Sequence, residues 1–106
     1  MGERGTRPVE VTDDPGTSRY KARLGQELAG FAQYVDSEGL IAFVHTVVDP
    51  AYEGQGVGSA LVRTSLDAAR ASGTPVLAVC PFYAGWIARH PAYQDLLYRE
   101  ESRVRD

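Results

Sequence analysis

Cysteine occurs once in these 106 residues, at Cys80. A single thiol cannot close an internal disulfide, so the fold must stand on its core, and the composition suits a reducing cytoplasm. Lysine is as scarce: Lys21 is the only one among 11 basic residues. We assign that bias to coding composition rather than to mechanism. No apolar run approaches the roughly 20 residues needed to span a bilayer, so no membrane partner is expected. With 14 acidic residues the formal net charge is −3, which leaves no general basic footprint for nucleic acid. Repeats and low-complexity segments are also missing. Residues 1–8 are polar, lack an apolar signal core and read as a disordered tail.

What is present suffices for one domain. Hydrophobic residues make up 43% of the chain, and a chain of this size buries roughly 65% of its unfolded surface. The domain is expected over residues 9–98, followed by a charged tail over 99–106. Residues 9–12 open a first strand, and Asp13-Asp14-Pro15-Gly16 is turn chemistry. Residues 18–24 alternate, with Tyr20, Ala22 and Leu24 on one face. Residues 27–35 continue as a third strand. Asp36-Ser37-Glu38-Gly39 turns the chain into a fourth, the apolar run of residues 40–48. These four form an antiparallel meander. Val57, Leu61, Val62 and Leu66 then recur at helical spacing through residues 57–72, stopping at Gly73. A short strand, residues 76–79, should lie parallel to residues 41–48. Pro81 opens a second helix of roughly 82–89, and a last short helix covers about 91–98. The fold class is therefore α/β (α+β by some conventions): a mixed, mostly antiparallel sheet with flanking helices.

Between the fourth strand and the first helix stands Tyr52-Glu53-Gly54-Gln55-Gly56-Val57-Gly58, where three glycines alternate. Side-chain-free backbone lets N–H groups approach oxygens closely, and a helix N-terminus adds partial positive charge. The arrangement is an anion cradle suited to a phosphate-bearing ligand. It is not a P-loop, which needs a Gly-Lys-Ser/Thr ending. It also departs from the dinucleotide fingerprint, whose third glycine falls one residue later and whose second strand ends on an acidic residue. Here Val76-Leu77-Ala78-Val79 leads into Cys80.

The pattern that remains resembles the pyrophosphate loop of the GCN5-related N-acetyltransferases, in which successive amides hold the diphosphate of acetyl-coenzyme A. Glu53, Gly54, Gln55, Gly56, Val57 and Gly58 occupy the matching positions. Glu53 departs from the family's Arg/Gln, and a carboxylate there costs electrostatic energy unless it points to solvent. His45-Thr46, Cys80-Pro81-Phe82, Trp86-Ile87 and Arg89-His90-Pro91-Ala92-Tyr93 follow in order over residues 20–97. Together they are similar to the small, minimal YjdJ-type subgroup.

The resemblance implies a cofactor, acetyl-CoA (coenzyme A after transfer), held by the loop amides. It also implies that the strand carrying Thr46 and Val48 splays from its neighbour, freeing N–H groups for the acetyl carbonyl and pantetheine amide. Arg89 is a candidate for the 3′-phosphate. His45 is the candidate catalytic base: histidine titrates at about 6.5 as a residue type, though a core role among Phe43, Val44 and Val47 is the alternative. Cys80 is the candidate nucleophile. With proline at N1 it falls at a helix N-cap, where dipole and free N–H groups favour a thiolate, while a small buried hydrophobe is the competing reading. Phe82, Tyr83, Trp86 and His90 line a substrate groove or form a core stripe.

The implied function is N-acetyl transfer to an amine, by direct attack with His45 as base, or through Cys80 with His45 as the base of its thiol. The alternatives are a non-catalytic acyl-CoA sensing module and a protein-interaction domain with a degenerate loop. No metal is expected. The expected partner is a small-molecule or protein amine, and the expected state a monomer or weak dimer.

Overall fold

The computed structural model describes residues 8–98; of the expected tails, 1–8 and 99–106, all but residue 8 lies outside them. Strands β1 (Val9–Asp14), β2 (Arg19–Leu24), β3 (Glu27–Ser37), β4 (Leu40–Val48) and β5 (Val76–Ala78) lie side by side in that order. The first four are antiparallel, and β5 runs parallel to β4. Helix α1 (Val57–Ser72) connects β4 to β5, helix α2 (Pro81–Ala88) follows, and a 3-10 helix spans Pro91–Leu96. None of the described helices is long and apolar enough to cross a membrane.

Several boundaries differ from expectation: β1 runs on through Asp13 and Asp14, which pair with Tyr20 and Arg19, so the turn begins only at Pro15, and β5 stops at Ala78. Strand β3 runs on through Asp36 and Ser37, pairing them with Ile41 and Leu40, so the turn shrinks to Glu38-Gly39. The last helix is 3-10 rather than α and stops at Leu96, because Leu97 bridges to Val76 and the Tyr98 N–H reaches the Val76 carbonyl.

One sheet face is covered and the other open. Tyr20, Ala22 and Leu24 alternate into the core, where α1 presents Val57, Leu61, Val62, Leu66 and Ala69. Phe43 is fully buried and stacked on Tyr83 of α2, with ring centroids 4.4 Å apart. Such pairs contribute about 0.5–1.5 kcal/mol beyond their area. The Tyr83 hydroxyl is satisfied by Ser65 of α1 at 2.7 Å, tying both helices to the same core.

A β-bulge in β4 sets which side chains of that strand turn inward. Gln33 faces His45 but Tyr34 faces Phe43, leaving Val44 as the extra residue. Since side chains alternate along a strand, the bulge inverts the alternation. Ile41 and Phe43 point into the core before it. After it Thr46 and Val48 are half-buried, while His45 and Val47 are exposed.

Candidate functional site

The site is built where β4 outlasts β5. The parallel ladder pairs Ile41, Ala42 and Phe43 with Val76, Leu77 and Ala78 and goes no further. Its last bond joins the Cys80 N–H to the Phe43 carbonyl at 2.8 Å. Beyond it, the Asp49 N–H bonds to Ala29 of β3, which sets the antiparallel alternation. Thr46 and Val48 therefore turn their N–H and C=O groups away from β3, toward the side β5 has left. The parallel pairing thus ends before Thr46 and Val48, and the Thr46 N–H turns to the Cys80 sulfur.

The chain then enters the loop. The Asp49 carboxylate accepts the Ala51 N–H at 2.9 Å and caps a short 3-10 helix, Pro50–Tyr52. Glu53 follows in extended conformation and is exposed, so its carboxylate lies in solvent rather than over the helix. Gly54 and Gly56 have φ of 83° and 82°, and a Cβ at either would meet nothing within 4 Å. The left-handed backbone, not crowding, demands glycine there. Gly56 is the N-cap of α1, and no side chain caps that end. The N–H groups of the first helical turn lack carbonyls one turn back, so they face the open side of the loop with the helix dipole behind them.

One loop expectation needs correction, and one glycine has a further role. The Gln55 N–H bonds to the Tyr52 carbonyl at 3.3 Å, so Gln55 closes a turn rather than offering its amide. Gly58, in the first turn of α1, also serves packing: a Cβ there would come within 2.8 Å of the Phe82 ring. The third glycine lets α2 lie against the start of α1.

Cys80 is the N-cap of α2, with Pro81 at N1. Its sulfur lies 3.4 Å from the Thr46 hydroxyl. Burial pushes the thiol pKa up. The Thr46 hydroxyl and the N–H groups of Tyr83, Phe82 and Thr46 outweigh burial, and the net direction is below the ordinary cysteine range. Thr46, expected to matter through its backbone, thus also acts through its side chain. The thiol is largely buried, yet stabilised as an anion would be.

His45 sits one residue from Thr46 but on the opposite, open face. Its ring meets Phe31 edge-on at 6.3 Å, and the Arg19 guanidinium lies 3.9 Å over the same Phe31 ring. Neither the buried-histidine reading nor a Cys80–His45 pair fits, because β4 separates the two side chains. Phe31 and Arg19 were not anticipated; their places on neighbouring strands became meaningful only once the register was known.

The second helix divides. Tyr83 and Trp86 are core residues, 0% and 2% exposed, and do not line a groove; Phe82 is the exposed aromatic. His90 stacks on Trp86 at 3.7 Å and its Nδ1 lies 2.7 Å from the Trp86 carbonyl, which makes Nδ1–H the donor. That is a structural anchor. Arg89 caps the far end of α2 and is exposed, one helix length from Cys80. Ser59 and Arg63 of α1, absent from the expectations, stand nearer the loop. Trp86 Nε1–H reaches Ser59 Oγ at 3.4 Å, and the Arg63 guanidinium lies 5.3 Å over the Trp86 ring.

Comparison with known proteins agrees with this architecture. The family model for GCN5-related N-acetyl-transferases matches residues 19–96, and the chain belongs to that family. The fold is shared with a GCN5-like protein from Staphylococcus aureus, solved in solution by NMR. The two are 22% identical with a TM-score of 0.66, covering 84% of this chain and 87% of that one. No curated protein matches the sequence. Family and fold together support acetyl transfer in general.

Proposed function

We propose that the protein transfers an acetyl group from acetyl-coenzyme A to an amine. The observation that carries this reading is the uncapped N-terminus of α1, reached through left-handed Gly54 and Gly56, opening beside the unpaired edge of β4. The N–H groups from Gly56 through the first turn would hold the diphosphate. The Val48 N–H, turned to the same side, would hold the acyl arm. When bound, the cofactor supplies an acetyl thioester, a carbonyl carbon open to attack by an amine.

The chain's own residues would do the rest. Outward N–H groups on β4 stabilise negative charge as it develops on the carbonyl oxygen. His45, on the uncovered face, accepts the proton of an amine arriving from that side. This division favours direct attack, since His45 cannot serve Cys80 across the strand. The lowered Cys80 thiol supports a second route in which Cys80 is acetylated first. We place the chain with the minimal subgroup of the family, acting in the cytoplasm as a monomer or weak dimer.

Calorimetry tests the cradle: Gly56→Glu should weaken acetyl-coenzyme A at least tenfold with the fold retained, and unchanged affinity would reject it. Intact mass after mixing with acetyl-coenzyme A, without acceptor, separates the routes. Direct attack leaves Cys80 unmodified, and a Cys80 acetyl adduct that passes on to amine establishes the other.

A further inference from the structure

We propose that the uncovered sheet face selects an amine acceptor that also carries a carboxylate, a small amino acid, with Arg19 as the residue that reads the acid. The inference deepens the acetyl-transfer reading and rests on it, because His45 enters as the base.

Arg19, Gln33 and His45 stand in one row across β2, β3 and β4: Arg19 pairs with Gln33, and Gln33 with His45. On the other side Arg19 pairs with Asp14 of β1, the ion partner that the register offers. Asp14 turns elsewhere. Its Oδ2 accepts the Lys21 ammonium at 2.7 Å and the Thr17 hydroxyl at 3.0 Å. Arg19 lies instead over Phe31, its guanidinium carbon 3.9 Å from the ring centroid, and its Nε–H donates to Gln33 Oε1 at 3.1 Å. Gln33 is oriented in turn, since its Nε2–H donates to the Thr17 carbonyl at 3.5 Å.

An arginine over an aromatic ring is by itself ordinary surface packing. Here the ring and the Nε bond fix the guanidinium and leave its Nη1/Nη2 edge unused. Among the described residues no acceptor meets either Nη, in a chain with 14 acidic residues against 11 basic ones. That edge presents two parallel N–H groups, which match the two oxygens of a carboxylate. Holding it in place beforehand removes part of the ordering cost of binding. His45 is exposed on the same face and makes no hydrogen bond among the described residues, so a ring nitrogen is open to an ammonium.

The spacing sets the ligand's length. The guanidinium lies 3.9 Å from the Phe31 centroid and the His45 ring 6.3 Å from the same point. The two groups are therefore no farther apart than those distances laid end to end. An α-amino acid fits that interval. Two bonds of about 1.5 Å separate its nitrogen from its carboxyl carbon, and a hydrogen bond at each end adds roughly 2.9 Å. A carboxylate seated on Arg19 thus delivers the ammonium to His45. An amine without the acid loses that anchor, and a polyamine sets a second cation against Arg19.

The test compares L-alanine with ethylamine, which differs from it only in lacking the carboxylate. In steady-state acetylation, kcat/KM should be at least tenfold higher for L-alanine, and Arg19→Gln should shrink that ratio to within twofold. Equal values in wild type would overturn the proposal. So would an Arg19→Gln enzyme that is slower with both amines at an unchanged ratio, the result of a purely structural role. Amide NMR without cofactor separates this proposal from the acetyl-transfer reading. L-Alanine should give saturable shifts at the Arg19 Nε–H and at the amides of Phe31, Gln33 and His45, lost in Arg19→Gln and absent with ethylammonium chloride at matched ionic strength. Those shifts without acetylation of either amine would support the carboxylate site and reject acetyl transfer. Acetylation of ethylamine without any L-alanine shifts would keep acetyl transfer and overturn the site.

Discussion

Gly30 lies in β3 opposite Val48, at the point where the sheet delivers the chain to the glycine loop. A Cβ added there would fall 2.5 Å from the Val47 carbonyl oxygen, 3.2 Å from Val48 Cα and 3.2 Å from Val57 Cγ1. Two of these three atoms are backbone and cannot rotate aside. Gly30→Ala must therefore part β3 from β4 or push back Val57, the first residue of α1. Overpacking of this kind costs about 1–3 kcal/mol, offset by about 0.4–1 kcal/mol from a less flexible unfolded chain. A net loss of about 1–2 kcal/mol lowers Tm by roughly 5–15 °C in a domain of this size. Gly85→Ala provides the opposite sign. Its Cβ would meet only the flexible Arg89 Nη1 at 3.4 Å, and replacing a mid-helix glycine gains about 0.5–1 kcal/mol. Urea unfolding of the two variants decides. Gly30→Ala as stable as wild type, or Gly85→Ala equally harmed, would refute the argument. Because Val57 begins α1, acetyl-coenzyme A affinity should fall with Gly30→Ala and not with Gly85→Ala.

Two further outcomes rest on single contacts. The Cys80 thiol should titrate below the ordinary cysteine range when followed by thiolate absorbance against Cys80→Ser, and Thr46→Val should move it up; a free-cysteine titration would sink that account. Since the folded state lowers this pKa, its stabilising contribution vanishes as pH falls through the folded value. It is complete only above the unfolded value of about 8.5. Wild type should therefore gain stability over Cys80→Ser as pH rises toward that range in denaturant melts. In the core, Ser65→Ala strands the buried Tyr83 hydroxyl and should cost about 1–3 kcal/mol. Tyr83→Phe leaves Ser65 still bonded to the Val62 carbonyl at 3.0 Å, and should cost less. Equal unfolding free energies would contradict the assigned hydrogen bond.

Where elements begin and end was legible wherever local chemistry decides it. The apolar spacing from Val57 and the stop at Gly73 marked α1, and Pro81 placed Cys80 at an N-cap. The glycine loop was legible because left-handed backbone excludes most other residues. Roles that depend on facing were not. His45 and Thr46 are neighbours in sequence, and one extra residue in β4 decides which turns inward. Tyr83 and Trp86 carry the same aromatic signal as Phe82, and only packing against α1 and Phe43 separates core from surface.

The amino-acid order by itself determined the run of strands and helices, the family, and the left-handed glycine loop before α1, since each rests on backbone preference or short-range periodicity. Tertiary structure alone decided that β5 leaves β4 after Phe43, and that Cys80 joins Thr46 while His45 faces away. Those relations join residues far apart in the chain, and strand register and helix packing bring them together.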